Sequence, residues 1–212
     1  MKSLKFAVLA LAITAASPAV AAPEPDLARA QALVAEGKYV PAAEIYEAAL
    51  ARDPTNLAAL LGGARLNLEL ESFDRALLYA EAAVRISPQN ADALAARGLA
   101  FAGLEQNDKA RADFDKVLAQ GPHAKALEGR AWLWAGAGDH ERALADFRAA
   151  YRADPTQVDA LVGGSYQLVD LGREDEAMAA VDEALKVAPD DYAALVTKAA
   201  LLSDKGELAA AA

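Results

Sequence analysis

Apolar residues recur along this chain with the spacing of helix faces, and the faces themselves recur in a fixed register. In the stretch 124–157, Leu127, Ala131 and Trp134 fall on one side of a predicted helix. Gly138 stands where a left-handed residue closes such a helix. A second predicted helix then buries Ala143, Phe147 and Ala150, and Asp154-Pro155 ends it while preparing the next start. Ala131 and Ala143 let the two helix axes approach closely, with Trp134 and Phe147 filling the space beside them. The preceding stretch repeats the scheme with Leu94, Gly98, Phe101, Ala110 and Phe114. The following one uses Leu161, Ser165, Leu168, Ala177 and Val181.

The register is set by small residues and prolines. Pro54, Pro88, Pro122, Pro155 and Pro189 are separated by 34, 34, 33 and 34 residues. Twelve residues before each lies an alanine: Ala42, Ala76, Ala110, Ala143 and Ala177. Five positions earlier come Gly37, Glu71, Glu105, Gly138 and Gly172, with Gly206 continuing the series.

This pattern resembles the tetratricopeptide repeat family, whose unit is a helix–turn–helix of about 34 residues with small, aromatic and proline positions at fixed offsets. The resemblance covers essentially everything after residue 22. It implies an all-α fold, a right-handed superhelical solenoid, with repeats at about 23–56, 57–90, 91–123, 124–157 and 158–191 and a partial unit at 192–212. Such an array is stable from roughly three units upward. There are departures from the family pattern. Asn67 stands where an aromatic is usual and Ala80 where a large residue is usual, which makes the second unit the least well packed of the interior ones. Asp26 takes the place of the family's tryptophan, as a polar terminal cap would. The last unit begins with Leu195, Ala199 and Leu202 but carries little polar surface after them. That end frays, continues in a longer form, or is covered by something else.

In this family the first helix of each unit lines the concave side, where partners lie. Carried over by position, this gives an inward ladder of Gln31, Arg65, Leu99, Trp132, Tyr166 and Ala200. One turn earlier lies Leu27, Leu61, Ala95, Glu128, Val162 and Val196; one turn later, Val34, Leu68, Ala102, Ala135, Val169 and Ser203. The implied groove is apolar, with Arg65 as its main cation. Family members that clamp a peptide's C-terminal carboxylate use lysines and asparagines on this face, and those are absent here. A hydrophobic or amphipathic segment suits the groove better. Trp132, Tyr166, Arg65, Leu99, Leu61 and Val162 are the candidate partner-binding residues, because buried Trp, Tyr and Arg dominate binding hot spots. The alternative for Trp132 is that it packs across two neighbouring units. Trp134, Phe101, Phe114 and Phe147 are assigned to the core.

Composition narrows the function further. Hydrophobic residues make up 55% of the 212, but aromatics only 6%, so alanine carries much of the apolar share. The formal net charge of −10 repels phosphate backbones and anionic headgroups, which argues against nucleic acid as a partner. There is no cysteine, hence no disulfide, thiolate metal site or lipid-attachment cysteine.

Residues 1–22 read as a secretory signal peptide. Lys2 and Lys5 give the positive start, Leu4 to Ala16 the apolar run, and Ala19-Val20-Ala21 the small-x-small cleavage site. The run is shorter than the roughly 20 residues of a spanning helix. An uncleaved anchor is the competing reading and fits the alanine-rich exit less well. Cleavage leaves 23–212 with no membrane span, in the periplasm or secreted.

Nothing in the sequence forms a catalytic or metal constellation. Ser165 occupies a helix-contact position. Gly62-Gly63 and Gly163-Gly164 sit inside predicted helices and lack the strand and lysine of a phosphate loop. His123 and His140 lie in turns, read as solvated, and are not spaced as a metal pair. Carboxylates such as Glu44, Glu47, Asp113 and Asp115 read as solvated helix faces. The expectation is no enzyme, no cofactor and no metal. The sequence points to an exported interaction scaffold or assembly factor that takes a protein or peptide partner in the groove. The alternative is a self-assembling repeat protein, with oligomerisation through its terminal repeats.

Overall fold

A computed structural model describes residues 26–204; the segment 1–22, read as a signal peptide, and the end from 205 to 212, including Gly206, lie outside the described residues. The helices are α1 (Leu27–Ala35), α2 (Tyr39–Arg52), α3 (Leu57–Glu69), α4 (Phe73–Ile86), α5 (Ala91–Gly103), α6 (Asn107–Leu118), α7 (Ala124–Gly136), α8 (His140–Ala153), α9 (Asp159–Asp170), α10 (Glu174–Val187) and α11 (Tyr192–Asp204). No strand occurs among the described residues. Odd- and even-numbered helices pair as hairpins, and each hairpin stacks on the next to give an all-α solenoid.

Local chemistry sets the helix starts. Asn56, Asn90 and Asp191 each accept the backbone N–H three residues on, from Ala59, Ala93 and Ala194 at 3.0, 2.8 and 2.8 Å. In the turns at Pro54 and Pro155, Asp53 and Asp154 accept from the backbone and hydroxyl of Thr55 and Thr156. Those bonds hold both carboxyls below their usual range.

The turn within each hairpin needs one left-handed residue. Gly138 supplies it at φ 76°, and Asp139 N–H then closes back on the Trp134 carbonyl at 2.9 Å. Glu71 and Glu105 adopt the same conformation at φ 51° and 59° with a side chain in place. For them it is strained.

Small residues make the core. Ala42, Ala76, Ala110, Ala143 and Ala177 are all fully buried. Four residues after each come Tyr46, Ala80, Phe114, Phe147 and Val181, also buried. The rings among them press on a glycine of the next unit: Tyr46 on Gly62, Phe114 on Gly129 and Phe147 on Gly163. A Cβ on Gly163 would stand 2.5 Å from the Phe147 ring, and on Gly62 or Gly129 it would also collide with the ring. Where the large residue shrinks to Ala80 or Val181, the equivalent facing position holds Ala96 or Thr197. Bulk on one unit is balanced by its absence on the next. The second unit is thus matched in size to its neighbour, and its Asn67, buried at 3%, donates to the Gly63 carbonyl at 2.7 Å.

Polar groups bind the layers too. Arg97 grips Asp113 with two bonds of 2.6 and 2.7 Å, and Arg130 grips Asp146 at 2.8 and 3.0 Å while reaching Asp115 of the preceding unit at 2.8 Å. Asp113 is therefore no solvated carboxylate: it is buried and held by a guanidinium fork. Trp134, expected in the core, is only partly covered. The Arg111 and Arg142 guanidinium groups lie over its ring at 4.6 and 4.8 Å.

Two expected outcomes test this packing, both by denaturant unfolding followed by circular dichroism. Gly163→Ala destabilises by about 1–3 kcal/mol because the buried Phe147 ring has nowhere to go. Adjacent Gly164→Ala, whose Cβ would meet only ordinary contacts at 3.5 Å, is neutral or gains up to about 1 kcal/mol of helix propensity. Equal behaviour of the two variants would refute the ring-on-glycine pairing. Separately, Glu71→Gly and Glu105→Gly each stabilise by roughly 0.5–1 kcal/mol by releasing left-handed strain; a loss in both would show that the glutamate side chains make a compensating contact.

Candidate partner-binding groove

The three-and-four spacing of α3 sets Leu61, Arg65 and Leu68 on one stripe, and α5 and α7 continue it with Ala95, Leu99, Glu128 and Trp132. Together they line a concavity of about 400 Å³, edged by Glu69, Asp92, His123, Lys125 and Gln157. Toward the first unit it runs on into a second hollow of about 630 Å³, which shares Leu61, Arg65, Glu69 and Asp92 and adds Gln31, Val34 and Tyr46.

Four of the candidate residues meet in the first concavity: Leu61, Arg65, Leu99 and Trp132. Trp132 is 46% exposed, and its ring packs against the buried Phe147 ring at 5.0 Å between centroids and 81° between planes. The indole is thus both packed and presented, held in one orientation by an edge-to-face contact. Tyr166, 42% exposed, stands one unit along and does not line that concavity; its hydroxyl pairs with Thr197 Oγ1 at 3.1 Å. Val162 is not on the surface at all. It is 4% exposed and packs in a core cluster with Val158, Leu168 and Ala194, so it leaves the candidate set. Ala95 is buried in the same way at the equivalent place of the third unit.

Charge is unevenly placed. Arg65 is exposed and has no ion-pair partner among the described residues. It lies near enough to Tyr46 to oppose the upward push that burial gives that phenol. The other edge is a polar rim. His123 caps α7 by accepting the Ala126 N–H at Nδ1, which leaves its Nε2 facing Asp92 at 3.2 Å. Lys125 pairs with Glu128 at 3.0 Å and with Asp159 at 3.9 Å. Neither histidine is simply solvated. His140 Nδ1 lies 3.0 Å from Gln167 Oε1 and 3.3 Å from Asp170 Oδ2. Sequence reasoning missed the rim, although Asp92, Lys125 and Asp159 share one place in the register. Among the described residues, no helix is long and apolar enough to cross a membrane, and no group of three or more His, Cys, Asp or Glu side chains is placed to hold a metal.

Comparisons with known proteins agree with this architecture. One family profile described as tetratricopeptide repeat matches residues 27–91 and 95–158, and a second of the same description matches 135–202. No curated protein matches the sequence. Among solved structures, the chain is similar to TTC0263, a thermophilic tetratricopeptide repeat protein of Thermus thermophilus, with a TM-score of 0.75 and 24% identity over 84% of this chain and 97% of that one. It is also similar to PilW, a type IV pilus biogenesis factor, with a TM-score of 0.71 and 22% identity over 87% and 86%. A third is YrrB, a repeat protein with an unusual peptide-binding site, with a TM-score of 0.52 and 23% identity over 81% and 89%. At these identities the structures speak for the fold alone. The profile matches and the stacked hairpins together establish that the chain belongs to the tetratricopeptide repeat family.

Proposed function

We propose that this protein is an exported interaction scaffold or assembly factor that holds an apolar or amphipathic segment of another protein in the groove of α3, α5 and α7. Proteins of this repeat family mediate protein–protein interactions. The observation that carries the reading is a half-exposed Trp132, pinned by Phe147, in the same hollow as an Arg65 with no ion-pair partner among the described residues. A pre-oriented aromatic loses little freedom on binding, and an exposed guanidinium is ready for a carboxylate of the partner. Leu61 and Leu99 add apolar floor. The peptide-binding site of the similar YrrB favours the same use of this fold by analogy. Export rests on Lys2, Lys5, the apolar run to Ala16 and the Ala19-Val20-Ala21 exit.

The expected outcome is that Trp132→Ala combined with Tyr166→Ala, folded by circular dichroism, recovers at least about tenfold less partner from a periplasmic extract than the wild type, since hot-spot truncations cost about 2 kcal/mol or more. Undiminished recovery by the folded double variant would remove this groove from the account.

A second reading, self-assembly, has its own observation. In α11, Leu195 is 47% exposed, whereas its equivalents Leu60, Leu94 and Leu127 are 4%, 1% and 6% exposed. Tyr192 at 80% and Val196 at 48% extend that apolar end. Light scattering over a concentration series is expected to show association that Leu195→Glu abolishes; a strict monomer at the highest concentration eliminates this reading.

A further inference from the structure

One helix-to-helix contact recurs behind the groove, between first and second helices, and the fifth unit lacks it. The third and fourth units fill it with Arg97–Asp113 and Arg130–Asp146. The second unit has Gly63 and Tyr79 at the same places, and the Tyr79 ring lies over the glycine, 2.9 Å from where a Cβ would stand. The fifth unit has Gly164 and Ala180, and neither reaches across. A cavity of about 250 Å³ opens there, with Leu144, Leu161 and Leu168 in its walls.

Two further observations give this gap a direction. Packing does not demand glycine at 164: an added Cβ would sit 3.5 Å from Phe147 Cβ and 3.7 Å from Leu144 Cδ1, in ordinary contact, unlike the colliding Gly63 and Gly163. The charge register also reverses at this junction. At two other junctions an acid of one unit meets a base of the next at these places: Asp115 meets Arg130 and Asp182 meets Lys198, both at 2.8 Å. Here the acid's place holds Arg148 and the base's place holds Gly164, so Arg148 turns to Glu176 at 3.0 Å. Glu183, beside them at the cavity, accepts only the Tyr151 hydroxyl, at 3.2 Å, and has no ion-pair partner among the described residues.

We propose that this cavity is a recognition site for the aromatic side chain of a partner protein segment, a tyrosine or phenylalanine with a lysine or arginine beside it. The ring lies on Gly164 as Tyr79 lies on Gly63, and the neighbouring cation meets Glu183. The site is separate from the groove and does not depend on it.

The test is a titration of the full chain, followed by the amide resonances of Gly164 and Ala180, with three probes: acetyl-Lys-Tyr-amide, acetyl-Lys-Ala-amide and acetyl-Glu-Tyr-amide. Saturable shifts with the first are expected, and at least about tenfold weaker binding of the alanine probe, because ring burial supplies most of the affinity. The glutamate probe binds more weakly than the lysine one. Ala180→Tyr, which fills the cavity from within as Tyr79 does, removes the response; Ala180→Leu serves the same purpose should the tyrosine variant fail to fold. Absence of saturable shifts at these amides, an equal response to the alanine probe, or a response that survives in a folded filled variant would overturn the proposal. So would shifts that grow with protein concentration alone and vanish in Tyr192→Ser, which would assign the cavity to a second copy of the chain.

Discussion

Three buried rings in this solenoid, Tyr46, Phe114 and Phe147, each need a missing Cβ on the neighbouring unit. Phe147 reaches its place because Gly163 has no side chain, and Phe114 because Gly129 has none. The same fit recurs within a unit, where Phe114 also meets Gly98 and Tyr79 meets Gly63, but the contacts that cross from one unit to the next fix how one hairpin seats on its neighbour. Helix propensity pulls the other way, since glycine inside a helix costs about 1 kcal/mol relative to alanine. The burial of a phenyl ring, worth roughly 1.5–3 kcal/mol, outweighs that cost. Polar forks then add directionality: Arg130 holds its own second helix through Asp146 and the preceding unit through Asp115.

The groove is a by-product of the same arrangement. Small residues draw the first helices close to their partners, which leaves the opposite stripe of α3, α5 and α7 facing open space. Its floor is apolar because Leu61, Leu99 and Trp132 occupy that stripe, and its edge is charged because Asp92 and Lys125 stand in the first turns of α5 and α7. The chemistry on offer is one of shape, apolar contact and a few charges. That suits holding a partner.

The fold is readable in the sequence because it is periodic. The spacing of Ala42 to Ala177 and of Pro54 to Pro189 defines the hairpins without any knowledge of contacts. The site is less readable because equivalence in register is not equivalence in exposure. Leu61, Glu128 and Val162 share a position, yet Val162 is sealed in the cluster that contains Ala194 while Leu61 stays half-covered. Likewise Asp113 looks like a surface acid until Arg97 is found beside it across sixteen residues. The histidines pass for solvated residues for a similar reason: what they touch, Asp92 and Gln167, lies about thirty residues away. Periodicity names the partners' places but not whether the side chains there reach each other.

Both indoles of the chain sit in α7, two residues apart, in opposite surroundings. Trp134 is clasped between the Arg111 and Arg142 cations, and Trp132 faces the groove while packed at right angles to Phe147. The tryptophan fluorescence of the protein therefore originates entirely from its fourth hairpin. Trp132, 46% exposed, is the more open of the two emitters, so anything seated against it would register as a change in quenching with no label attached.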